Sequence, residues 1–388
     1  MELIERINEL ERQYEYAAYV KDLTDGSVLL NVSYDTRLVS ASIIKVPVMV
    51  YVLNEVKKGN VSLDQKLLVR KEEILDDTRV FEYGEREYSL QELLTWMIIN
   101  SDNTATNVIL EYFGIQNINE YLKSLDLRNT AVERKMLDYE AIENGRNNYM
   151  SHEDICKVYE WLYKKEILTK ELCELALDIL LKQRDRSLFL RHVTDNVRFY
   201  HKTGGLDHIN HDCGIIVING HVYYAGVSVY DFPKEDDGDS EAGKIGKIIY
   251  DHLKDIPLEV VAGYIRKDDK FLLCQRPFYK ARGLGWEFPG GMIEKGETGG
   301  EALKRELSEE LDAVTIVDDK LCDCYYHYPD LKVHLSLYGC HFENDYFRLK
   351  EHNDARWVSL DETEKLDLCP ADRILVQKLR ESGNNSIK

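Results

Sequence analysis

The chain has 388 residues, of which 44% are hydrophobic and 31% charged, so it can form two or three globular domains with a substantial core. Its formal net charge of −20 at pH 7 argues against non-specific binding to polymeric nucleic acid or to anionic membranes. Small phosphorylated ligands are not excluded, because divalent cations can bring them to an acidic site.

The first predicted element is an amphipathic helix, in which Leu3, Ile4, Ile7 and Leu10 recur at helical spacing. This segment lacks the long apolar core of a signal peptide, and no stretch of the chain approaches the ~20 apolar residues that span a bilayer. The eight cysteines are scattered without a CxxC pair, which favours free thiols in a reducing compartment. We therefore expect a cytoplasmic protein that has no membrane partner.

The first half continues with several predicted helices. A hairpin is predicted near residues 16–32, and three later strands are predicted near residues 197–201, 213–218 and 222–229. Ser42 opens the apolar segment SIIKVPVMVYVLNEV, and Lys45 lies three residues later on the same helical face. A helix N-terminus favours a developing anion at Ser42, and a lysine that is neutral in a dry pocket can act as a base towards the hydroxyl. The Ser-x-x-Lys pattern alone is a weak signal, and the alternative is a serine that only caps the helix.

Two further segments strengthen the serine–lysine pair. Ser-Asp-Asn at 101–103 follows a helical segment that ends in WMIIN, and Lys-Thr-Gly at 202–204 follows the strand-like VRFYH. In this order and at these separations, the three segments resemble those of class A serine β-lactamases and penicillin-recognising enzymes over roughly residues 10–254. The resemblance implies an α-helical part combined with an antiparallel sheet that helices flank.

The resemblance also implies roles for the first two segments. Ser42 would be the nucleophile and Lys45 the base for acylation by a small amide or ester. Ser101 would relay protons, and Asn103 would hold the lysine and the substrate.

The third segment would complete the site. Lys202 and Thr203 would bind a substrate carboxylate or polarise the serine relay. The backbone N–H groups of Ser42 and Gly205 would form an oxyanion hole, which is worth ~3 kcal/mol per donor in well-studied enzymes. The alternative for Lys202 is an ordinary surface cation.

The loop before Glu-Ala-Ile at 140–142 departs from the class A pattern. Aligned on this tripeptide, the position of the family's deacylating glutamate holds Lys135, or Met136 after a one-residue shift. That glutamate activates the water that releases the acyl group in the family. An acyl-enzyme on Ser42 should therefore be long-lived, unless another base serves.

Other interpretations of this half remain open. Asp138 is a substitute base or, instead, a structural ion-pair partner of Arg134. The domain could be a slowly acylating, ligand-sensing module that regulates the second half. It could also be a glutaminase-like amidase, because glutaminases share the serine–lysine fold.

A change of composition near residues 255–257 indicates a domain boundary. Before it, SEAGKIGKIIYDHLKD is typical of a terminal helix, and after it, LEVVAGYIRKDDKFLLCQR is typical of two strands around a charged turn. We therefore expect one domain at residues 1–255 and a second at 256–388.

The second half contains an acidic helix. From about residue 298 to 311, apolar residues recur three and four apart, so Glu306, Glu309 and Glu310 would share one helical face. Three such carboxylates repel each other unless cations lie between them. Mg²⁺ is the expected cation, with Mn²⁺ as its substitute, because it takes oxygen ligands and leaves positions for phosphates. The alternative is a solvated acidic face.

The helix belongs to a longer spaced pattern that runs from Gly291 to Ala313. It has a glycine, five residues, Glu297, seven residues and then RELSEE. This pattern resembles the Nudix box, except that Asp312 stands where that family usually has glycine. Over about residues 258–380 the segment resembles MutT-like Nudix hydrolases, which implies an α/β/α sandwich.

Other shared marks with that family are Arg276, WEFPGG at 286–291, residues 326–329, 351–352, 357–358 and 370–372. The resemblance implies that the Gly291 carbonyl joins Glu306, Glu309 and Glu310 in binding Mg²⁺. Glu351 would add a carboxylate or a base. Arg305 and Glu297 would orient the ligands.

The same resemblance points to a nucleotide pocket. Arg276 would meet a phosphate or a base edge, and Phe288 would either stack on the base or serve as a core aromatic. Asp372 takes the place of a base-reading asparagine. Unless it is protonated it offers acceptors only, which suit the exocyclic amine of cytosine or adenine better than the lactam edge of guanine. The implied reaction converts a nucleoside di- or triphosphate into a monophosphate, with pyrophosphate as the product from a triphosphate. We expect a bifunctional hydrolase of mixed α/β and α+β class.

Overall fold

The computed structural model describes residues 2–10, 13–78, 80–233, 238–294, 296–344 and 346–383. The chain divides into two compact units. The first is formed by Met1–Ile218 and Val222–Leu253, and the second by Asn219–His221 and Lys254–Lys388.

The first unit contains nine strands in its described part. They are β1 (Glu15–Asp22), β2 (Val28–Val32), β3 (Leu38–Val39), β4 (Lys66–Val69), β5 (Arg86–Ser89), β6 (Tyr149–Met150), β7 (Arg198–Leu206), β8 (Ile209–Ile218) and β9 (His221–Tyr230). Five of them form a sheet in the order β2-β1-β9-β8-β7. In β1 and β9 nearly every central residue is buried, so both faces of the sheet are covered.

The helices of this unit surround one largely buried helix. They are α1 (Leu3–Asn8), α2 (Lys45–Lys57), α3 (Leu90–Ile99), α4 (Asn103–Phe113), α5 (Ile115–Ser124), α6 (Tyr139–Glu143), α7 (His152–Lys164), α8 (Lys170–Leu181) and α9 (Asp239–Asp255), with 3₁₀ turns at Ala41–Ile44 and Lys71–Glu73. Ten consecutive residues of α2, 45–54, are buried, as expected for a helix that is apolar around most of its circumference. The sequence predicted that Ser42 opens this helix, but Ser42 lies in the 3₁₀ turn before α2.

The second unit is built on a mixed seven-stranded sheet. Its elements are β10 (Leu258–Lys267), β11 (Lys270–Gln275), β12 (Trp286–Glu287), β13 (Gly290–Met292), α10 (Gly299–Leu311), β14 (Thr315–His327), β15 (Lys332–Phe342), β16 (Asp354–Val358), a 3₁₀ turn at Glu362–Lys365, and α11 (Pro370–Gly383). The strand order is β12-β11-β10-β15-β14, with β13 paired to β10 and β16 to β11. Strands β10 and β15 are parallel, whereas the other strand pairs in the described part of this sheet are antiparallel.

One helix covers each face of this sheet. Val261 of β10 packs in a cluster with Leu303 and Leu307 of α10. The next residue, Ala262, packs in a second cluster with Leu375 of α11. Because successive strand residues point to opposite faces, α10 and α11 lie on opposite sides of the sheet. The expected α/β/α sandwich is confirmed. In the described part of the chain, no helix combines the length and the apolar character needed to cross a bilayer.

Candidate active sites

The turn that carries Ser42 lies directly against strand β7. Ala41, just before the serine, has a positive φ of 44°. At Gly204 of β7, an added Cβ would lie 2.9 Å from the Ser42 nitrogen and 3.1 Å from the Ile43 nitrogen. Only glycine therefore allows the strand to approach the serine turn so closely.

The Lys45 side chain is fully buried beside Ser42. Its Nζ lies 3.0 Å from Ser42 Oγ, 2.7 Å from the Ser101 carbonyl oxygen, 3.2 Å from Ser101 Oγ and 2.8 Å from Asn103 Oδ1. Burial and the nearby charge of Lys202 lower the pKa of Lys45 well below its ordinary value. A neutral amine has one lone pair and two N–H groups, which match the Ser42 hydroxyl proton and the two carbonyl-type oxygens. The geometry therefore suits proton transfer from Ser42 to Lys45.

Ser101 lies between two buried lysines. Lys202 Nζ donates to Ser101 Oγ at 3.1 Å and to the Thr203 carbonyl at 2.7 Å. Burial lowers the pKa of Lys202 to about 8. Ser101 itself has a positive φ of 52°, a conformation that is uncommon for serine. The structure thus brings together residues from α2, the turn before α4 and β7 that are far apart in the sequence.

Ser42, Ser101 and Asn103 line a cavity of about 740 Å³. Ser42 and Gly205, whose N–H groups are the predicted oxyanion donors, both line it, as does Thr203. Its described lining contains the aspartates Asp77, Asp102, Asp185 and Asp239. Asp77 Oδ2 accepts a hydrogen bond of 2.7 Å from Asn103 Nδ2, and the sequence offered no signal for this contact.

The loop at residues 133–143 does not line this cavity within the described residues. Lys135 forms an ion pair of 2.5 Å with Glu111, and both side chains reach solvent. Asp138 accepts a hydrogen bond of 3.0 Å from the Ala141 nitrogen and so caps α6. This position favours the structural role of Asp138 over that of a substitute base. The hydrogen-bond partner is the Ala141 backbone N–H, whereas the sequence suggested the Arg134 side chain.

The second site is built on α10 and the glycine strand β13. An added Cβ at Gly291 would lie 2.3 Å from the carboxyl carbon of Glu306, so a side chain there would occupy the place of this carboxylate. Glu310 Oε2 accepts a hydrogen bond of 3.0 Å from the Gly290 nitrogen. Glu310 is only 8% exposed, and this burial raises its pKa to about 7.

Arg305 holds the carboxylates of the site in place. It donates two hydrogen bonds to Glu297, of 2.7 and 2.9 Å, and one of 2.8 Å to Glu306 Oε1. Hydrogen bonds from Arg305 lower the pKa of Glu297 to about 2. Glu309 is 3.6 Å from Arg305, and its side chain is 58% exposed. These oxygen donors fit a hard divalent cation.

Asp312 ends α10 in the left-handed conformation, with φ at 51°. Glycine adopts this C-cap conformation most readily, which explains why a glycine is usual at this place in the box. Asp312 is tolerated here in an ion pair of 2.7 Å with Lys350.

A cavity of about 340 Å³ lies beside these carboxylates. Arg276 lines it and forms an ion pair of 2.5 Å with Glu287. The other oxygen of Glu287 lies 3.2 Å from His352 Nε2, which is also 3.9 Å from Glu310 Oε1. From the sequence, His352 and Glu287 belong to segments shared with MutT-like Nudix hydrolases, but no role was predicted for either residue.

Asp372 and Phe288 meet at the floor of this cavity. Asp372 Oδ1 accepts a hydrogen bond of 2.8 Å from the Phe288 nitrogen. Burial, with a smaller effect of Glu287, raises the pKa of Asp372 well above its ordinary value. The Phe288 side chain is 3% exposed and packs on Phe271, with ring centroids 5.5 Å apart, which favours its role as a core aromatic.

Glu351 lies in the loop before β16. Its Oε2 accepts a hydrogen bond of 2.6 Å from Lys280 Nζ. Both residues line the cavity together with Glu306 and Glu310. The sequence predicted Glu351 but gave no indication of Lys280.

Comparisons with known proteins match each part of the chain to a family. Residues 2–253 match the model of the Beta-lactamase enzyme family, and residues 257–379 match that of the NUDIX domain. The second part is similar to a CTP pyrophosphohydrolase of Escherichia coli (strain K12), with 33% identity over 120 residues, 31% of this chain and 89% of the relative. It is also similar to an 8-oxo-dGTP diphosphatase of Proteus vulgaris, with 39% identity over 83 residues, 21% of this chain and 73% of the relative.

Solved structures resemble the first part. A mutant of PBP-A in an acyl-enzyme complex with penicillin-G has 26% sequence identity and a TM-score of 0.60. The match covers 66% of this chain and 97% of that one. The predicted two-domain fold class is confirmed, and Nudix domains generally use divalent metals such as Mg²⁺ or Mn²⁺.

Proposed function

We propose that this chain, which belongs to the Beta-lactamase enzyme family through residues 2–253 and to the NUDIX family through residues 257–379, carries two separate active sites with a domain boundary at 255–256. The second domain hydrolyses a nucleoside di- or triphosphate, and a triphosphate yields a monophosphate and pyrophosphate. The first domain forms an acyl-enzyme on Ser42 with a small amide or ester.

The nucleotide reaction is supported above all by the fit between Gly291 and Glu306, which leaves no room for a side chain beside the carboxylates. The Gly291 carbonyl, Glu306, Glu309 and Glu310 would hold Mg²⁺, or Mn²⁺ in its place. The bound cation would neutralise phosphate charge and lower the pKa of an attacking water. Arg305 fixes Glu306, so the ligands need little rearrangement.

Asp372 is the proposed reader of the base. Its Oδ1 accepts the hydrogen bond from the Phe288 N–H, and Oδ2 of the ionised carboxylate would accept the amine of cytosine or adenine. The relative named CTP pyrophosphohydrolase supports this choice. Pyrophosphate release should be measured for CTP, ATP, GTP and 8-oxo-dGTP, with wild type and Asp372→Asn. A wild-type preference for 8-oxo-dGTP over both CTP and ATP would refute the base assignment.

At the first site, Ser42 Oγ would attack the substrate carbonyl while its proton passes to Lys45. The oxyanion would be held by the N–H groups of Ser42 and Gly205. The leaving group would take a proton from Ser101, which Lys45 then reprotonates across 3.2 Å, with Lys202 polarising the same hydroxyl. Because no carboxylate of the 133–143 loop lines the cavity within the described residues, we expect slow release of the acyl group.

The same loop favours a second candidate function, a slowly acylating module that senses a ligand. Intact-mass measurement after incubation with nitrocefin and benzylpenicillin separates the two. Rapid turnover indicates a hydrolase, whereas a persistent adduct that is lost in Ser42→Ala and kept in the exposed control Ser27→Ala indicates a trapping module. Ammonia release from glutamine without any adduct would favour the amidase.

A further inference from the structure

Lys280 lies in the loop between β11 and β12 and faces the nucleotide cavity. Its ammonium group is 2.6 Å from Glu351 Oε2, and its side chain is 41% exposed. An ammonium group has three N–H donors, so one bond to Glu351 leaves it able to take other acceptors.

Lys280 differs from the arginines that line the same cavity. Arg276 and Arg282 form ion pairs of 2.5 and 3.0 Å with carboxylates outside the proposed metal set. Lys280, in contrast, is paired with Glu351, which is itself a candidate for binding the metal. Among these three side chains, only Lys280 would therefore lose its carboxylate partner when a divalent metal ion binds.

We propose that Lys280 binds the phosphates of the nucleotide, and that Glu351 holds its ammonium group at the cavity until the metal occupies Glu351. This inference depends on the proposed nucleotide hydrolysis. A lysine is a compact charge with rotatable donors, so it can exchange a carboxylate for a phosphate oxygen without a new loop conformation. Lys280 would lose its anionic partner when Glu351 turns to the metal, and the negatively charged phosphates would replace that partner.

The proposal predicts two effects of opposite sign for Lys280→Met. Without nucleotide, Mn²⁺ should bind more tightly, because no ammonium group competes for Glu351. With nucleotide, KM should rise by about tenfold to a hundredfold, the range of one lost charge-assisted hydrogen bond. The kcat value should change much less, because a phosphate contact of this kind stabilises the bound substrate and the transition state alike.

The experiment uses the full chain and three variants, Lys280→Met, Lys280→Arg and the control Lys270→Met. Lys270 pairs with Glu362 at 3.3 Å and is not among the described residues that line the cavity. Mn²⁺ affinity is measured by calorimetry without nucleotide, and KM and kcat are measured with CTP and with 8-oxo-dGTP. The KM effect should be similar for both nucleotides, because they share the triphosphate.

Lys280→Arg should keep KM within a few-fold of wild type, and Lys270→Met should leave Mn²⁺ affinity and KM unchanged. A wild-type KM in Lys280→Met, or weaker binding of both Mn²⁺ and nucleotide, would overturn the role of Lys280. If the wild-type chain hydrolyses neither nucleotide, the proposed function itself fails. The two failures are therefore distinguishable.

Discussion

Substituting alanine for Gly291 tests the metal site with one methyl group. In the structure, that methyl would lie 2.3 Å from the carboxyl carbon of Glu306 and 2.5 Å from both of its oxygens. An ordinary contact needs at least 3.4 Å, so the carboxylate must move by about 1.1 Å or the strand must shift. A move of this size breaks the 2.8 Å hydrogen bond from Arg305 that orients Glu306.

We expect Gly291→Ala to lower both metal affinity and kcat. Changes to the groups that merely orient metal ligands usually cost about 10- to 100-fold, and displacing Glu306 itself should cost at least that much. The backbone of Gly291 does not require a positive φ, so the fold should persist. The measurements are Mn²⁺ calorimetry, pyrophosphate release from CTP, and a thermal melt that reports on folding.

Gly300→Ala is the matched control. At Gly300, near the start of α10, an added Cβ would meet only Val317 Cγ1 at 3.8 Å, which is an ordinary contact. Replacing a helical glycine by alanine should stabilise the chain by about 0.5–1 kcal/mol and leave the metal site unchanged. Wild-type metal affinity and kcat in Gly291→Ala would refute the placement of Glu306 against the glycine strand. Equal losses in both variants would instead indicate a general effect of alanine on this domain.

The remaining predictions concern the serine site. The folded pKa of Lys202 is about 8 and thus below its unfolded value near 10.5, so the unfolded chain binds more protons between these values and stability should rise with pH through this window. The contribution of Lys202 is on the order of 3 kcal/mol. Chemical denaturation at several pH values should show a smaller rise in Lys202→Met, in which only the contribution of Lys45, whose pKa is also lowered, remains. If acylation of Ser42 needs charged Lys202, its rate should fall as pH rises through 8, and a rate that is flat to pH 10 would contradict this. Lys135→Glu should not restore release of the acyl group, because the side chain at 135 points to Glu111 and solvent; fast turnover of penicillin in this variant would count against the described loop position.

The acidic helix was predictable because its chemistry is local. Apolar residues recur at helical spacing from 298 to 311, and the structure has α10 at Gly299–Leu311 with Thr298 as its N-cap. The position of Lys45 beside Ser42 is local in the same way, since three residues make less than one helical turn. In α10 the spacing places the glutamates on one face, and in the 3₁₀ turn side chains three residues apart lie one above the other, which brings Lys45 next to Ser42.

Strand β7 was predicted only in part. The sequence predicts a strand only to residue 201, whereas β7 continues to Leu206. Glycine has low strand propensity, so Gly204 and Gly205 gave no indication that the strand continues through them. The structure explains their presence by the close approach of β7 to the Ser42 turn.

Ion pairs between distant residues leave no periodic trace in a sequence. Lys280 and Glu351 are 71 residues apart, and each lies in a loop. His352 and Glu287 are likewise distant, 65 residues apart, although Glu287 lies in strand β12. Resemblance to a family could suggest Glu351 because it belongs to a shared segment, but only the folded chain pairs it with a particular lysine.

Both sites gather buried groups of one charge type. Lys45 and Lys202 flank Ser101 in the first domain, and burial lowers the pKa of each. In the second domain burial raises the pKa of Glu310, which lies among other carboxylates. Each shift means that the fold disfavours the charged form of its own side chain, and that an arriving group of opposite charge is correspondingly favoured. A developing oxyanion near the lysines and a divalent cation near the glutamates are such groups, so both proposed activities depend on the same cost of burying ionisable side chains.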